Sequence, residues 1–169
     1  MEPPKAFNPE DNIPRYSSGA SGFIKMLKHG YGKEPFMMLE DDIRIEREFC
    51  DIEVPEDIDI LYVGLSLWGL DPIKWVGIYN GVKYTEFNDT IVRLNNMCST
   101  HGFVSCSKKG TEMLQYCMHN SYKYNIPWDI PLSKNHKEMN VYAVRDCMVY
   151  QCDEHGGKGS EDYTRIKFR

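Results

Sequence analysis

The chain has no apolar run at its start. Met1 to Pro14 sets Pro3, Pro4, Pro9 and Pro14 among charged residues, so neither the hydrophobic core of a signal peptide nor a spanning helix is written there, and a cytoplasmic location is expected. A basic surplus is missing too. With 20 Lys and Arg against 25 Asp and Glu, the formal charge is −5, which disfavours non-specific binding to a nucleic-acid backbone, because that mode depends on cations releasing condensed counterions. No two of the six cysteines (Cys50, Cys98, Cys106, Cys117, Cys147, Cys152) form a CxxC pair, which removes the usual thioredoxin and zinc-ribbon patterns. Scattered through apolar stretches, they read as reduced, mostly buried thiols. Low-complexity tracts, internal repeats and a P-loop are also absent.

What is present is an ordinary globular composition, 41% hydrophobic and 27% charged in 169 residues. That length fits one domain with a real core and is short for an enzyme with two substrate lobes. The reading divides the chain into a Pro-rich segment (1–16), an α/β domain (17–152) and a polar tail (153–169).

Ser17-Ser18-Gly19-Ala20-Ser21 reads as a helix entry, with Phe23, Ile24 and Leu27 at helical spacing and Gly30 and Gly32 as the stop. Phe36-Met37-Met38-Leu39 has the length of a buried strand and ends in Glu40-Asp41-Asp42. A helix is expected to begin over Glu46–Phe49, a loop at 54–57, and a buried strand from Ile58 to Gly64. Asn80-Gly81, between Ile78-Tyr79 and Val82-Lys83-Tyr84, is the signature of a two-residue β-hairpin turn. Gly102–Cys106 suits a strand and Lys108–Asn120 a helix with Met113, Leu114 and Cys117 on one face. Residues 125–131 read as a Pro-punctuated loop, and 140–150 as closing core strands. Strands alternating with helices predict an α/β fold, and the hairpin implies that its sheet is mixed.

The acidic triplet carries the chemistry. Placed at the C-terminal end of a strand, where ligands bind in open α/β sheets, it puts at least two carboxylates on one side of a turn. Such hard oxygen ligands suit Mg²⁺ or Mn²⁺ and repel one another without a cation; a plain solvated acidic turn is the other reading.

From Phe36 to Ile43 the chain resembles glycosyltransferase family 25, enzymes related to lipopolysaccharide biosynthesis and collagen glycosylation, whose apolar strand ends in Leu-Glu-Asp-Asp and an aliphatic residue. Gly19 to Leu27 is similar to the family's Gly-rich helix start, with Gly22 where the family has a His. Ile60 to Leu65, Gly102 to Leu114, Pro127-Trp128-Asp129 and Val141 to Gln151 resemble further family segments in the same order.

The resemblance implies a compact GT-A-like domain, a mixed sheet flanked by helices, and a hexosyltransferase-like enzyme that takes a nucleotide-sugar donor, a divalent metal and a hydroxyl acceptor (glycan, protein or other). Glu40 and Asp42 become metal ligands, joined by His155 from the loop after the last strand, where a surface histidine is the competing reading. Ser21, Lys25, Asp41 and Trp128 become donor-contacting residues, Trp128 as a sugar-stacking platform or a core residue. Asp129 becomes the base for the acceptor hydroxyl or, alternatively, the cap of the turn between Pro127 and Pro131. The family's full nucleotide-binding strand and helix have only the Pro-rich segment as counterpart here, so a short form is expected. The alternatives are a non-catalytic binding module, or a fragment completed by a partner chain or by oligomerisation. A metal-dependent phosphoryl-transfer protein or nuclease ranks last, for want of a basic groove.

Overall fold

The computed structural model describes residues 15–49, 51–151 and 167–168. Its central sheet grades from a buried middle to more exposed edges. β3 (Ile60–Tyr62) and β9 (Val141–Val144) are buried at every position and lie at the centre, paired in parallel. Outward on one side come β8 (Gly102–Ser105) and β1 (Phe36–Leu39), and on the other β7 (Ile91–Asn96) and β6 (Lys83–Glu86), each pairing antiparallel. The order β1-β8-β3-β9-β7-β6 makes a mixed six-stranded sheet in an α/β domain. The parallel β3–β9 pair makes it mixed.

At the edge, β1 buries only Met38 and leaves Met37 exposed, so this apolar run is a half-buried edge strand, not the buried one its composition suggests. Two small ribbons flank the sheet: β2 (Ile43–Ile45) with β10 (Val149–Gln151), and β4 (Gly69–Asp71) with β5 (Val76–Ile78).

Helix α1 (Arg15–Gly30) begins before the Ser-Ser-Gly-Ala-Ser run, which lies inside its first turns. Ala20, Phe23, Ile24 and Leu27 form its buried face, and Gly32 at φ 78° turns the chain out, as the glycine pair predicted. α1 packs on α2 (Lys108–Tyr124), which is capped by the Ser107 hydroxyl accepting from the Gly110 amide at 3.0 Å and ended by Asn125 in the left-handed region. Thr111, Leu114, Cys117, Met118 and Ser121 recur at helical spacing on its buried face. The helix runs a turn beyond its expected end. A short helix α3 (Asp129–Asn135) and a 3₁₀ turn (His136–Glu138) lead into β9.

Three local expectations are corrected. Residues 46–49 do not start a helix: the amides of Glu46 and Arg47 donate to the Met148 carbonyl, which holds the backbone extended beside the β2–β10 ribbon. Asn80-Gly81 does form a tight turn, with Asn80 at φ 57° and the Gly81 amide on the Ile78 carbonyl at 3.1 Å, but not a hairpin. The arms diverge because β5 pairs with β4 while β6 pairs with β7, and the Asn96 amide holds the turn by donating to the carbonyls of Leu70 and Gly81. The loop expected over 125–131 becomes helical at Asp129. Among the described cysteines, Cys98, Cys106, Cys117 and Cys147 are all free thiols; Cys50 and Cys152 lie outside the described residues. No described helix is long and apolar enough to cross a membrane.

Candidate functional site

β1 and β3 run in the same direction, since each is antiparallel to β8 between them. Their carboxyl ends open on a cleft of about 300 Å³. Glu40, the residue after β1, extends the pairing by donating its amide to the His101 carbonyl at 3.2 Å, which fixes its backbone before the side chain turns into the cleft.

The Glu40 carboxylate is held from both sides. Oε1 accepts from the Thr100 hydroxyl at 2.9 Å and Oε2 from the Gln151 side-chain amide at 2.9 Å. The same Gln151 nitrogen donates to Asp42 Oδ2 at 3.3 Å, so the two carboxylates converge on one amide at the end of β10. Thr100 in turn accepts from the Trp128 indole nitrogen at 2.6 Å. A continuous polar path therefore runs from Trp128 through Thr100 and Glu40 to Gln151 and Asp42.

Asp129 opens α3 and lines the same cleft. Burial pushes its carboxyl up to about 6 against the backbone amides of Asp129 and Ile130, which pull the other way. Glu40 is pushed higher, to about 7, by burial first and by the charges of Asp42 and Asp129, although the bonds from Thr100 and Gln151 favour its ionised form. No Lys or Arg is among the described residues lining the cleft.

Trp128 is wedged rather than free. Its ring packs against Phe23 at 5.3 Å and edge-on to Tyr16 at 6.3 Å, and it occupies the space where a side chain on Gly19 would stand. The Gly19-Ala20-Ser21 stretch thus admits an indole between α1 and the cleft.

Among the residues that sequence reasoning selected, Glu40, Trp128 and Asp129 meet in this cleft, and Asp42 joins them through Gln151. Ser21 and the exposed Lys25 lie on α1 and do not line it; Asp41 is exposed on the turn and does not line it either. His155 lies outside the described residues. Sequence reasoning missed Thr100 and Trp68. Neither carries a spacing signal, and only the fold brings Thr100 to Glu40 and Trp128. No protein-family model matches the chain, and comparison with curated proteins and with solved structures gave no match.

Proposed function

We propose that this chain is a metal-dependent glycosyltransferase, moving a sugar from a nucleotide-diphosphate donor to a hydroxyl acceptor in the Glu40–Asp129 cleft. The observation that carries this reading is that carboxyls from two separate elements, the β1 end and the α3 start, share one cleft and are both pushed toward neutrality, to about 7 and about 6.

A carboxylate whose proton affinity lies near neutral pH is a better proton acceptor than one at its ordinary value. Asp129 suits the base that takes the acceptor hydroxyl's proton, its carboxyl oriented by the first turn of α3. Glu40 and Asp42 fit a divalent cation: they are hard oxygen donors, and they already converge on one Gln151 amide. A bound cation would supply charge neutralisation for the departing diphosphate. Thr100 and Gln151 orient Glu40, and the Thr100–Trp128 bond ties that orientation to α1 and α3.

Calorimetric titration with UDP-sugars, with and without Mn²⁺, tests this reading. Binding that strengthens with Mn²⁺ and is lost in Asp42→Asn is expected, with Asp129→Asn keeping binding but losing transfer. Indifference of nucleotide affinity to the metal would overturn it and favour a non-catalytic binding module.

A further inference from the structure

Trp68 borders the same cleft as Glu40 and Asp129, and 38% of it is exposed. Its backbone is pinned on both sides, the amide donating to Ser66 Oγ at 2.9 Å and the carbonyl accepting from the Cys98 amide at 2.8 Å. Its ring is braced edge-on by Tyr79 at 5.8 Å. On β5, Gly77 lies beside the indole, and a Cβ there would stand in ordinary contact with it at 3.5 Å. The ring is thus held in orientation while much of it stays open. Trp128, by contrast, spends its nitrogen on Thr100 and packs on Phe23 of α1.

The lining of the cleft selects what can lie on that ring. With Glu40 and Asp129 in its wall and no cationic side chain among its described lining residues, the cleft offers carboxylate acceptors to a ligand's hydroxyls. A ligand with an apolar flat face and several hydroxyl donors answers both features, since the face can cover the indole and the hydroxyls can donate to the carboxylates. A nucleobase also has a flat face, but that face carries no hydroxyl donors for the carboxylates.

We propose that Trp68 is the platform for the acceptor, and that the acceptor is a saccharide whose pyranose ring stacks on the indole. The word acceptor rests on the transfer reading above; saccharide binding at Trp68 can be measured without it.

The test uses the full chain labelled with ¹⁵N, whose 3 tryptophans give separable indole signals, assigned by single Trp→Phe replacements. Lactose, cellobiose and maltose are titrated one at a time, with sorbitol as a hydroxyl-rich ligand lacking a ring and UMP as a nucleobase carrier. At least one disaccharide is expected to shift the Trp68 signal saturably while sorbitol does not. Trp68→Leu should then weaken that binding by about tenfold, the scale of one lost aromatic contact, and Trp68→Phe by less than about threefold. The proposal is overturned if no disaccharide moves the Trp68 signal, if Trp68→Leu binds as tightly as the wild type, or if UMP alone takes the ring. Saccharide binding at Trp68 without metal-dependent UDP-sugar binding by the wild type would sink the transfer reading and leave the platform standing. The converse result would do the opposite.

Discussion

Gly19 has no side chain where the Trp128 ring stands: a Cβ there would lie 2.5 Å from one ring carbon and 2.6 Å from the next. The ring cannot slide away cheaply, because its nitrogen is bonded to Thr100 and its face lies on Phe23. Two effects oppose each other in Gly19→Ala. Alanine favours a helix interior by about 1 kcal/mol, whereas overpacking costs about 1–3 kcal/mol. Overpacking should win, and urea unfolding is expected to show a net loss of about 1 kcal/mol with a displaced Trp128 indole signal. A stabilised Gly19→Ala would mean that the indole is less firmly seated than its contacts indicate.

Thr100 is the joint between Trp128 and Glu40, accepting from one and donating to the other. Thr100→Val keeps the shape and deletes the joint, leaving the indole N–H and one carboxylate oxygen without this partner. The expected loss is about 1–3 kcal/mol, with Thr100→Ser closer to wild type because it restores the hydroxyl. Glu40 should also titrate higher in the valine variant, since the hydroxyl favours its ionised form. Equal stability of the valine and serine variants would remove the joint from the account.

Glu40 gives the site a pH signature. Its folded pKa of about 7 stands above the ordinary 4.5, so its contribution to stability is fully present below about pH 4.5 and is lost as pH rises through about 7. Asp129, raised from 3.8 to about 6, acts in the same direction, and Asp42 adds to the repulsion on Glu40. Glu40→Gln should abolish Glu40's share of that loss, so its stability relative to wild type should rise by about 1–3 kcal/mol between pH 5 and pH 8 in chelator-treated buffer. A constant difference across that range would show that Glu40 ionises as a solvated carboxylate does.

The elements legible in the sequence were those whose signal is local. β1, β3, β8 and β9 follow from short apolar runs, and α2 from Met113, Leu114 and Cys117 sharing one face. The misread elements depended on distant partners. Asn80-Gly81 makes its turn, but Asn96 and Gly69 decide that its arms part; residues 46–49 are drawn into a ribbon by Met148, a hundred positions away in sequence. The site divides the same way. Glu40 and Asp42 stand out because three acids end an apolar run, and Asp129 because it sits between prolines. Thr100 and Trp68 have no local mark; their roles come from the fold bringing them to the cleft. Asp59 is a further case: nothing around it in sequence announces a buried carboxylate bonded to Ser107, Lys109 and the Asn140 amide.

His136 should tilt the acid limb the other way. It is fully buried behind β3, its Nε2 3.1 Å from the Tyr62 hydroxyl, and burial holds its pKa down at about 3. His101, also buried, is held at about 4. For both, the unfolded chain takes up a proton near pH 6.5 that the folded chain refuses, so stability is complete above that pH and falls as pH drops toward the folded values. Between about pH 5 and pH 6.5 these histidines and the Glu40–Asp129 pair therefore pull in opposite directions, and wild-type stability is expected to be nearly flat there. The single variants break the balance with opposite signs. Glu40→Gln leaves the histidine slope exposed and should lose stability on acidification, whereas His136→Gln leaves the carboxylate slope and should gain it. The double variant should be flat again. Urea midpoints at pH 5 and pH 6.5 for the four proteins measure this directly, and slopes of the same sign in both single variants would refute the assignment of buried neutral histidine and buried raised carboxylate.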